Sequence, residues 1–351
     1  MGDNEFKLMV AACGASFRDP LNGLPQPIDW NRFTSLAARH RVQALCWDSL
    51  APLSEEIPDP PASVLRDQSR TIVASNLKAA AECQRLANMF EAAGIPLLFL
   101  KGLALSALAY PKPYLKMGVD IDLLIESGRL SEAADLLRST AYVLVSPVRN
   151  DPRALKRWHH IRKESVWRRS DGEHQIDLHT RLADHWGMLP GLAANSPSQL
   201  VEVSTGISLT TLTDRDLFAY LCVHGASSAW FRLKWACDLA AFLERQSEDD
   251  VEELFERARE LRAERAAGQA LLLADKLFSI PLSARLREQL SARPAVRWLV
   301  RLAEDQLLNP TEPTDRLLGT ATIHLSQFHM ASGWRFKISE ALRQVRAMGG
   351  E

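Results

Sequence analysis

The sequence predicts an α+β protein: a small mixed β-sheet core flanked by N-terminal helices and a C-terminal helical domain. Three observations predict it. Helical periodicity dominates residues 1–94 and again 212–351. Between them, 95–211 breaks into short apolar runs of strand length bounded by glycine-containing turns. One such run, Gly118-Val119-Asp120-Ile121-Asp122-Leu123-Leu124-Ile125, carries two acids inside an otherwise apolar strand.

In the first region Asp29 suits a helix N-cap, and Phe33, Leu36, Ala37, His40 and Ala44 follow at helical spacing. Pro58 to Pro61 breaks the pattern. A long helix then runs from about Ser63 to Ala93, with Ile72, Val73, Leu77, Ala80, Leu86, Ala87 and Phe90 on its apolar side and Gly94 as its stop.

The middle region opens with the strand Pro96–Leu100, and Lys101-Gly102 turns into a helix over Leu103–Ala109. After a loop (Pro111–Gly118) and the acid-bearing strand, a helix covers Gly128–Thr140 with Ser131 as a candidate cap. Strands follow at Tyr142–Val145, Glu164–Arg169 and His174–His179, with a helix over 152–161 and a hairpin turn at Ser170-Asp171-Gly172. This gives a mixed sheet with helices on one side. In the last region Asp214 caps Leu217–Val223, Leu233–Leu243 continues, and Val251–Phe278 reads as helical. Pro281, Pro294 and Pro310 punctuate the rest.

Bulk properties narrow the function. The chain has 351 residues, 46% hydrophobic and 24% charged, with net charge −1. That balance is ordinary for a globular protein and gives no basic field for strong nonspecific nucleic-acid binding. Five scattered cysteines without a Cys-x-x-Cys pair predict free thiols in a reducing compartment. The acidic start MGDNEFKLMV is not a secretory signal, and the apolar stretch Ile95–Tyr110 is too short and too broken to span a bilayer. A cytoplasmic protein without membrane contact is expected.

Side chains two apart on a strand share a face, so Asp120 and Asp122 would stand roughly 6.5–7 Å apart on one side of the sheet. A divalent cation with oxygen ligands, Mg²⁺ above all, relieves their repulsion. An exposed strand edge would also suit them. Lys101-Gly102 offers a strand-to-helix turn whose N–H groups and ammonium suit a phosphate, or a solvated lysine at an edge. In Gln175-Ile176-Asp177-Leu178-His179, alternation puts Gln175, Asp177 and His179 on one face. If that strand neighbours the Asp120 strand, three carboxylates converge. His174, His179 and His185 do not have zinc-site spacing. His159-His160 belongs to a basic stretch, Lys156–Lys163, that reads as a solvated face or as attraction for an anionic acceptor.

These residues carry a family resemblance. Lys101-Gly102, Tyr110, a basic residue shortly before Asp-Ile-Asp-Leu-Leu, and Ile-Asp-Leu-His downstream resemble the uncharacterised bacterial nucleotidyltransferases of the polymerase-β superfamily. Leu221-Cys222-Val223-His224-Gly225-Ala226, Trp230, Arg232-Leu233-Lys234-Trp235 and Asp238-Leu239 extend the likeness, as does the stretch Trp30–Val42 with its Ala-Ala-Arg-His-Arg-Val.

The resemblance implies that Asp120, Asp122 and Asp177 are catalytic and ligate Mg²⁺ (or Mn²⁺), with Asp177 also accepting the proton of an attacking hydroxyl. Lys101, Gly102 and Lys116 would hold the triphosphate of an NTP, with ATP the expected one, and His224, Arg232 and Lys234 would close over the nucleotide. The reaction implied moves an NMP to a hydroxyl of a peptide, protein, small molecule or RNA. Lys116 stands where arginine is usual, and so lacks the bidentate fork. Two alternatives stay open. One is a non-catalytic nucleotide-binding protein on the same scaffold, such as an antitoxin or maturation-complex component; its cue is the altered Lys116–Val119 segment. The other is a metal-dependent glycosyltransferase, which the helical first 94 residues disfavour. A structural alternative makes Trp230 and Trp235 core residues, Asp238 a partner of Arg232 or Lys234, and His224 a buried hydrogen-bonded ring.

Overall fold

The structure, a computed structural model, describes residues 3–14, 20–23, 27–118, 120–149 and 151–348. Val119, inside the acid-bearing run, and Met1 and Gly2 lie outside the described residues.

An α+β architecture is observed. Five strands, β1 (Leu97–Phe99), β2 (Ile121–Ile125), β3 (Tyr142–Ser146), β4 (Glu164–Arg169) and β5 (Gln175–His179), form one sheet in the order β1-β2-β5-β4-β3. Only β2 and β5 are parallel; the other neighbours are antiparallel. Parallel neighbours need a crossover, supplied here by the helices Leu130–Ser139 and Pro152–Ile161 together with β3 and β4. The acids begin just before the strand: Asp120 precedes β2, which starts at Ile121.

Helices cover both faces at the centre of this sheet, not one. All five residues of β2 are buried. Ile121, Leu123 and Ile125 join Phe99, Ile176 and Leu178 in a core against Leu86 and Phe90 of the helix Pro61–Ala92. Leu98 and Leu124, of opposite parity, join a second core with Phe33, Leu217 and Leu239. The alternation of the strand therefore divides its residues between two cores. That second core mixes helices from both ends of the chain, among them Trp30–His40, Asp214–Ser227 and Leu233–Leu243.

Several local expectations need correction. Leu77 is half exposed, because the long helix turns that face to solvent. Ser131 is not a cap: a short 3₁₀ turn, Ser127–Arg129, precedes the helix, which starts at Leu130. Asp214 is the first residue of the helix Asp214–Ser227 rather than its cap, and its carboxylate accepts from Gln199 Nε2. The stretch Val251–Phe278 is two helices, Glu248–Glu260 and Glu264–Phe278, broken at Arg262, whose φ is +59°. A hairpin, β6 (Ser198–Ser204) with β7 (Ile207–Leu212), was not anticipated. His159 is buried, not solvated, and its ring bonds Thr180 and Ser165.

One buried carboxylate ties the long helix to the sheet. Glu82 accepts the Tyr142 hydroxyl at 2.6 Å, Arg85 at 2.6 Å and Arg169 at 3.1 Å. Burial opposes its charge, but these donors hold Glu82 below the usual carboxylate range. No described helix is long and apolar enough to cross a membrane.

Candidate functional site

The parallel pairing of β2 with β5 builds the site. Its register sets Asp122 opposite Asp177, and Asp120 lies just ahead of β2. Each of the three offers a carboxylate oxygen, and these oxygens all lie within 4.8 Å of one another. It is the only such group of possible metal ligands among the described residues.

β1 delivers Lys101. Leu100 N–H donates to Asp122 O at 3.1 Å, after which Lys101 caps the helix Gly102–Ala109. Gly102 has φ +61°, and a Cβ there would meet nothing nearer than Asp120 O at 3.9 Å. The left-handed backbone, not crowding, is what favours glycine at this turn. The Lys101 ammonium reaches Asp122 Oδ1 at 2.8 Å.

The same oxygen accepts from His179 Nε2 at 3.1 Å, and His179 Nε2 also lies 3.2 Å from Glu164 Oε2. Lys163 pairs with Glu164 at 2.7 Å. Asp122 Oδ1 is thus occupied by two donors, and Oδ2 is left for a cation. His179 has the parity of Asp177, so its place on the acid face was legible. Its bond to Asp122 was not, because it depends on the parallel register. His179 Nδ1 and the buried Tyr220 hydroxyl have no hydrogen-bond partner among the described residues.

The charges in this cluster are unequal. Burial alone would raise Asp122, but Lys101 and His179 outweigh it and hold the carboxyl well below its ordinary range. Asp177 goes the other way: burial, then Asp122 and Asp120, push it up to about 8. Three acids here cannot all ionise without a counter-charge. All three donors are oxygens, the chemistry of Mg²⁺, Mn²⁺ or Ca²⁺, and oxygens sharing one Mg²⁺ stand at most about 4.2 Å apart. The chemistry and closeness of the three donors fit such an ion.

A second group of charges lies beyond Asp120. Lys116 is buried, 3.5 Å from Asp238, which also accepts the Tyr110 hydroxyl at 3.0 Å. Asn76 Nδ2 fixes the Lys116 loop by donating to the Tyr114 and Lys116 carbonyls, each at 2.7 Å. Arg232 pairs with Glu312 at 3.0 Å. Asp238 therefore partners Lys116 and Tyr110, not Arg232 or Lys234. Trp230 is a buried core residue, and Trp235 is half-buried.

Lys234 has no hydrogen-bonding or ion-pair partner among the described residues. Burial and then Lys116 lower its amine to about 7, against the opposing pull of Asp120. His224 packs its ring between Tyr220 and Trp235, with centroids at 6.0 and 5.6 Å. Burial, then Lys101 and Lys163, keep it neutral. Lys101, Gly102, Lys116, Asp120 and Asp122 line one pocket, joined by Asn76 and His174. Arg232, Lys234 and His224 are not in that lining.

Arg41 lies in the Ala-Ala-Arg-His-Arg-Val stretch of the resemblance, with no role read from it there. It ends the helix Trp30–His40 in the left-handed region, φ +59°. Its guanidinium, without a bonding partner among the described residues, feels Arg232 and Asp120. Neighbouring contacts fix its place: His40 Nδ1 accepts Leu233 N–H at 3.0 Å, and Arg39 donates to the Phe231 carbonyl. Ala229 and Trp230 also have positive φ. Two strained backbone turns thus meet here and set Arg41, Arg232 and Lys234 as one group.

A family model described as an uncharacterised nucleotidyltransferase matches residues 26–279, well over half of the chain. No curated protein matches it.

Proposed function

The chain belongs to that family of uncharacterised nucleotidyltransferases, and from this premise we propose that it is a Mg²⁺-dependent nucleotidyltransferase moving an NMP from an NTP, ATP first among them, to a hydroxyl acceptor. The observation that carries the reading is the convergence of the Asp120, Asp122 and Asp177 oxygens within 4.8 Å. In the proposed reaction the acceptor oxygen bonds the α-phosphorus, the bond to the β-phosphate bridge breaks, and pyrophosphate leaves. Bound Mg²⁺ or Mn²⁺, held by the three aspartates, would supply charge stabilisation at the phosphate oxygens.

The chain's own groups do the rest. Asp177, whose carboxyl is ionised once a bound cation offsets Asp122 and Asp120, is suited to take the hydroxyl proton. Lys101 and the Gly102 backbone face one side of the triphosphate, and Lys116 another. Lys234, Arg232 and Arg41 supply further positive charge beyond Asp120, with the neutral His224 ring beside Lys234. Positioning and charge, more than covalent chemistry, are what such a transfer asks of the protein. The reading places no membrane and no extended nucleic acid at the site, and the chain in the cytoplasm.

The Lys101–Asp122 ion pair favours a second reading, a non-catalytic nucleotide-binding protein, because an ammonium already neutralises one ligand. One experiment separates the two. Each α-labelled NTP is incubated with Mg²⁺ and candidate hydroxyl acceptors, and label transfer and pyrophosphate release are measured. Turnover lost in Asp120→Ala supports the transferase. Saturable NTP binding without turnover supports the second reading, and no NTP binding in the presence of the metal sinks both.

A further inference from the structure

The C-terminal helix Trp334–Met348 leaves an apolar stripe uncovered. Trp334 is 68% exposed, Ile338 52%, Leu342 53% and Val345 63%. At about 100° per residue these four fall within an arc of about 80°. Arg335 and Arg346 flank the stripe on one side and Lys337 on the other, all exposed. The opposite face of the helix is the one that docks: Glu340 is buried and held by Arg343, and Phe336 packs on His185 with centroids at 4.3 Å.

Beside the stripe runs a groove of about 460 Å³, lined by Trp186, Arg259, Arg262, Arg265, Arg335 and Phe336. Trp186 is 74% exposed and stacks on His185. The groove's one acid, Glu264, is already paired with Arg293 at 2.5 Å. Arg262, Arg335, Lys337 and Arg346 have no acidic partner among the described residues. An apolar strip with unneutralised cations on both flanks lacks two things, a hydrophobic cover and negative charge.

We propose that this groove and stripe dock an acidic amphipathic helix of a protein partner. Such a helix lays its apolar side on Trp334, Ile338, Leu342 and Val345, and its carboxylates meet the flanking arginines and lysine. Charge complementarity selects this occupant. A second copy of the stripe would set cation against cation. The aliphatic part of the stripe offers no stacking platform for bases. The groove alongside it, lined by Arg262, Arg265 and Arg335, is a recess that the carboxylate-bearing flank of a convex rod enters and a flat bilayer does not. The surface is tethered close to the candidate site: Trp186 follows His179 by seven residues, a span of at most about 25 Å.

Random peptides long enough for four helical turns are displayed and panned against the full-length protein. The enriched sequences are expected to pair Asp or Glu with apolar residues at helical spacing. Their affinity should fall at least tenfold in Leu342→Asp. In the Arg335→Glu, Arg346→Glu double variant it should fall likewise and return when the peptide's acids are exchanged for lysine. All three positions are exposed, so folding is not at stake. The proposal is overturned by no enrichment, by enriched peptides without acidic bias, or by affinity unchanged in Leu342→Asp. It is equally overturned if Leu342→Asp abolishes self-association, binding to an RNA homopolymer, or binding to phosphatidylserine vesicles.

Discussion

Asp122 and Asp177 stand opposite each other on two adjacent parallel strands, yet they hold opposite electrostatic states. Asp122 is paired with Lys101 and accepts a hydrogen bond from His179, while Asp177 lies among Asp122, Asp120 and Glu164 and accepts from Gln175 Nε2 at 3.2 Å. The pair is stable with a proton on Asp177 or with a cation between the strands.

That relationship predicts that a divalent metal acts as a folding ligand. An ion that binds only the native state adds stability of about 2.7 kcal/mol at a hundredfold excess over Kd. Mg²⁺ or Mn²⁺ should therefore raise the melting temperature of the wild-type protein, and EDTA should reverse the gain. In Asp120→Asn, Asp177→Asn the shift should vanish while the metal-free protein melts no lower, since the double change removes repulsion. Differential scanning calorimetry with and without metal decides it, and an unaltered shift in the double variant contradicts the site.

His179 tests how the site is held. Its Nε2 bridges Asp122 and Glu164 from a fully buried position, so it orients a ligand without touching the ion. Losing such a partner costs about 10–100-fold in metal affinity. His179→Gln, which keeps a donor, should fall near the low end and His179→Ala near the high end. Mn²⁺ titration followed by electron paramagnetic resonance reads both, and equal affinity in all three proteins would remove His179 from the site.

Much of this was legible beforehand, and the boundary is physical. Asp120, Asp122, Asp177 and Lys101 could be singled out because strand alternation and a strand-to-helix glycine turn are local rules, while their convergence hung on the pairing of β2 with β5. Helical periodicity, equally local, put the helices Pro152–Ile161 and Leu233–Leu243 where they are observed. What escaped depends on tertiary register or on dihedral choices without a sequence mark. The break at Arg262 sits in a run that is uniformly good helix former, so propensity could not show it. The partner of Asp238 lies more than a hundred residues away at Lys116. The β6–β7 hairpin is a different kind of miss, because Val201-Glu202-Val203-Ser204 and Ile207-Ser208-Leu209-Thr210 alternate around a Thr205-Gly206 turn and were legible. Arg41 is the sharpest case: its left-handed turn and its approach to Asp120 follow from how His40 packs on Leu233.

Arg41 should be a nucleotide contact. A charge-assisted hydrogen bond contributes about 1.5–3 kcal/mol, so Arg41→Ala should weaken NTP binding by tenfold or more. Arg41→Lys, which keeps charge without the fork, should recover part of it. Because the residue sits at a positive φ, Arg41→Gly is the control for backbone strain: it should weaken NTP binding as Arg41→Ala does while raising thermal stability. Isothermal titration with a non-hydrolysable NTP measures the three, and wild-type affinity in Arg41→Ala would place the guanidinium outside the site.

Lys234 gives the pH dependence. Burial and Lys116 lower its amine to about 7 from 10.5, so the folded state gives up this proton before the unfolded chain does. Below pH 7 both states carry it, and folding bears the full penalty of burying the charge. Between about pH 7 and 10.5 only the unfolded state still binds it, and stability rises with pH. Lys234→Met should accordingly be more stable than the wild type at pH 6, with the gain shrinking toward pH 10. A triphosphate reverses the balance by restoring the ammonium. At pH 8, titration with a non-hydrolysable NTP in buffers of unlike ionisation enthalpy should show proton uptake by the wild type and less by Lys234→Met. Identical uptake in the two proteins would mean that the nucleotide does not reach this amine.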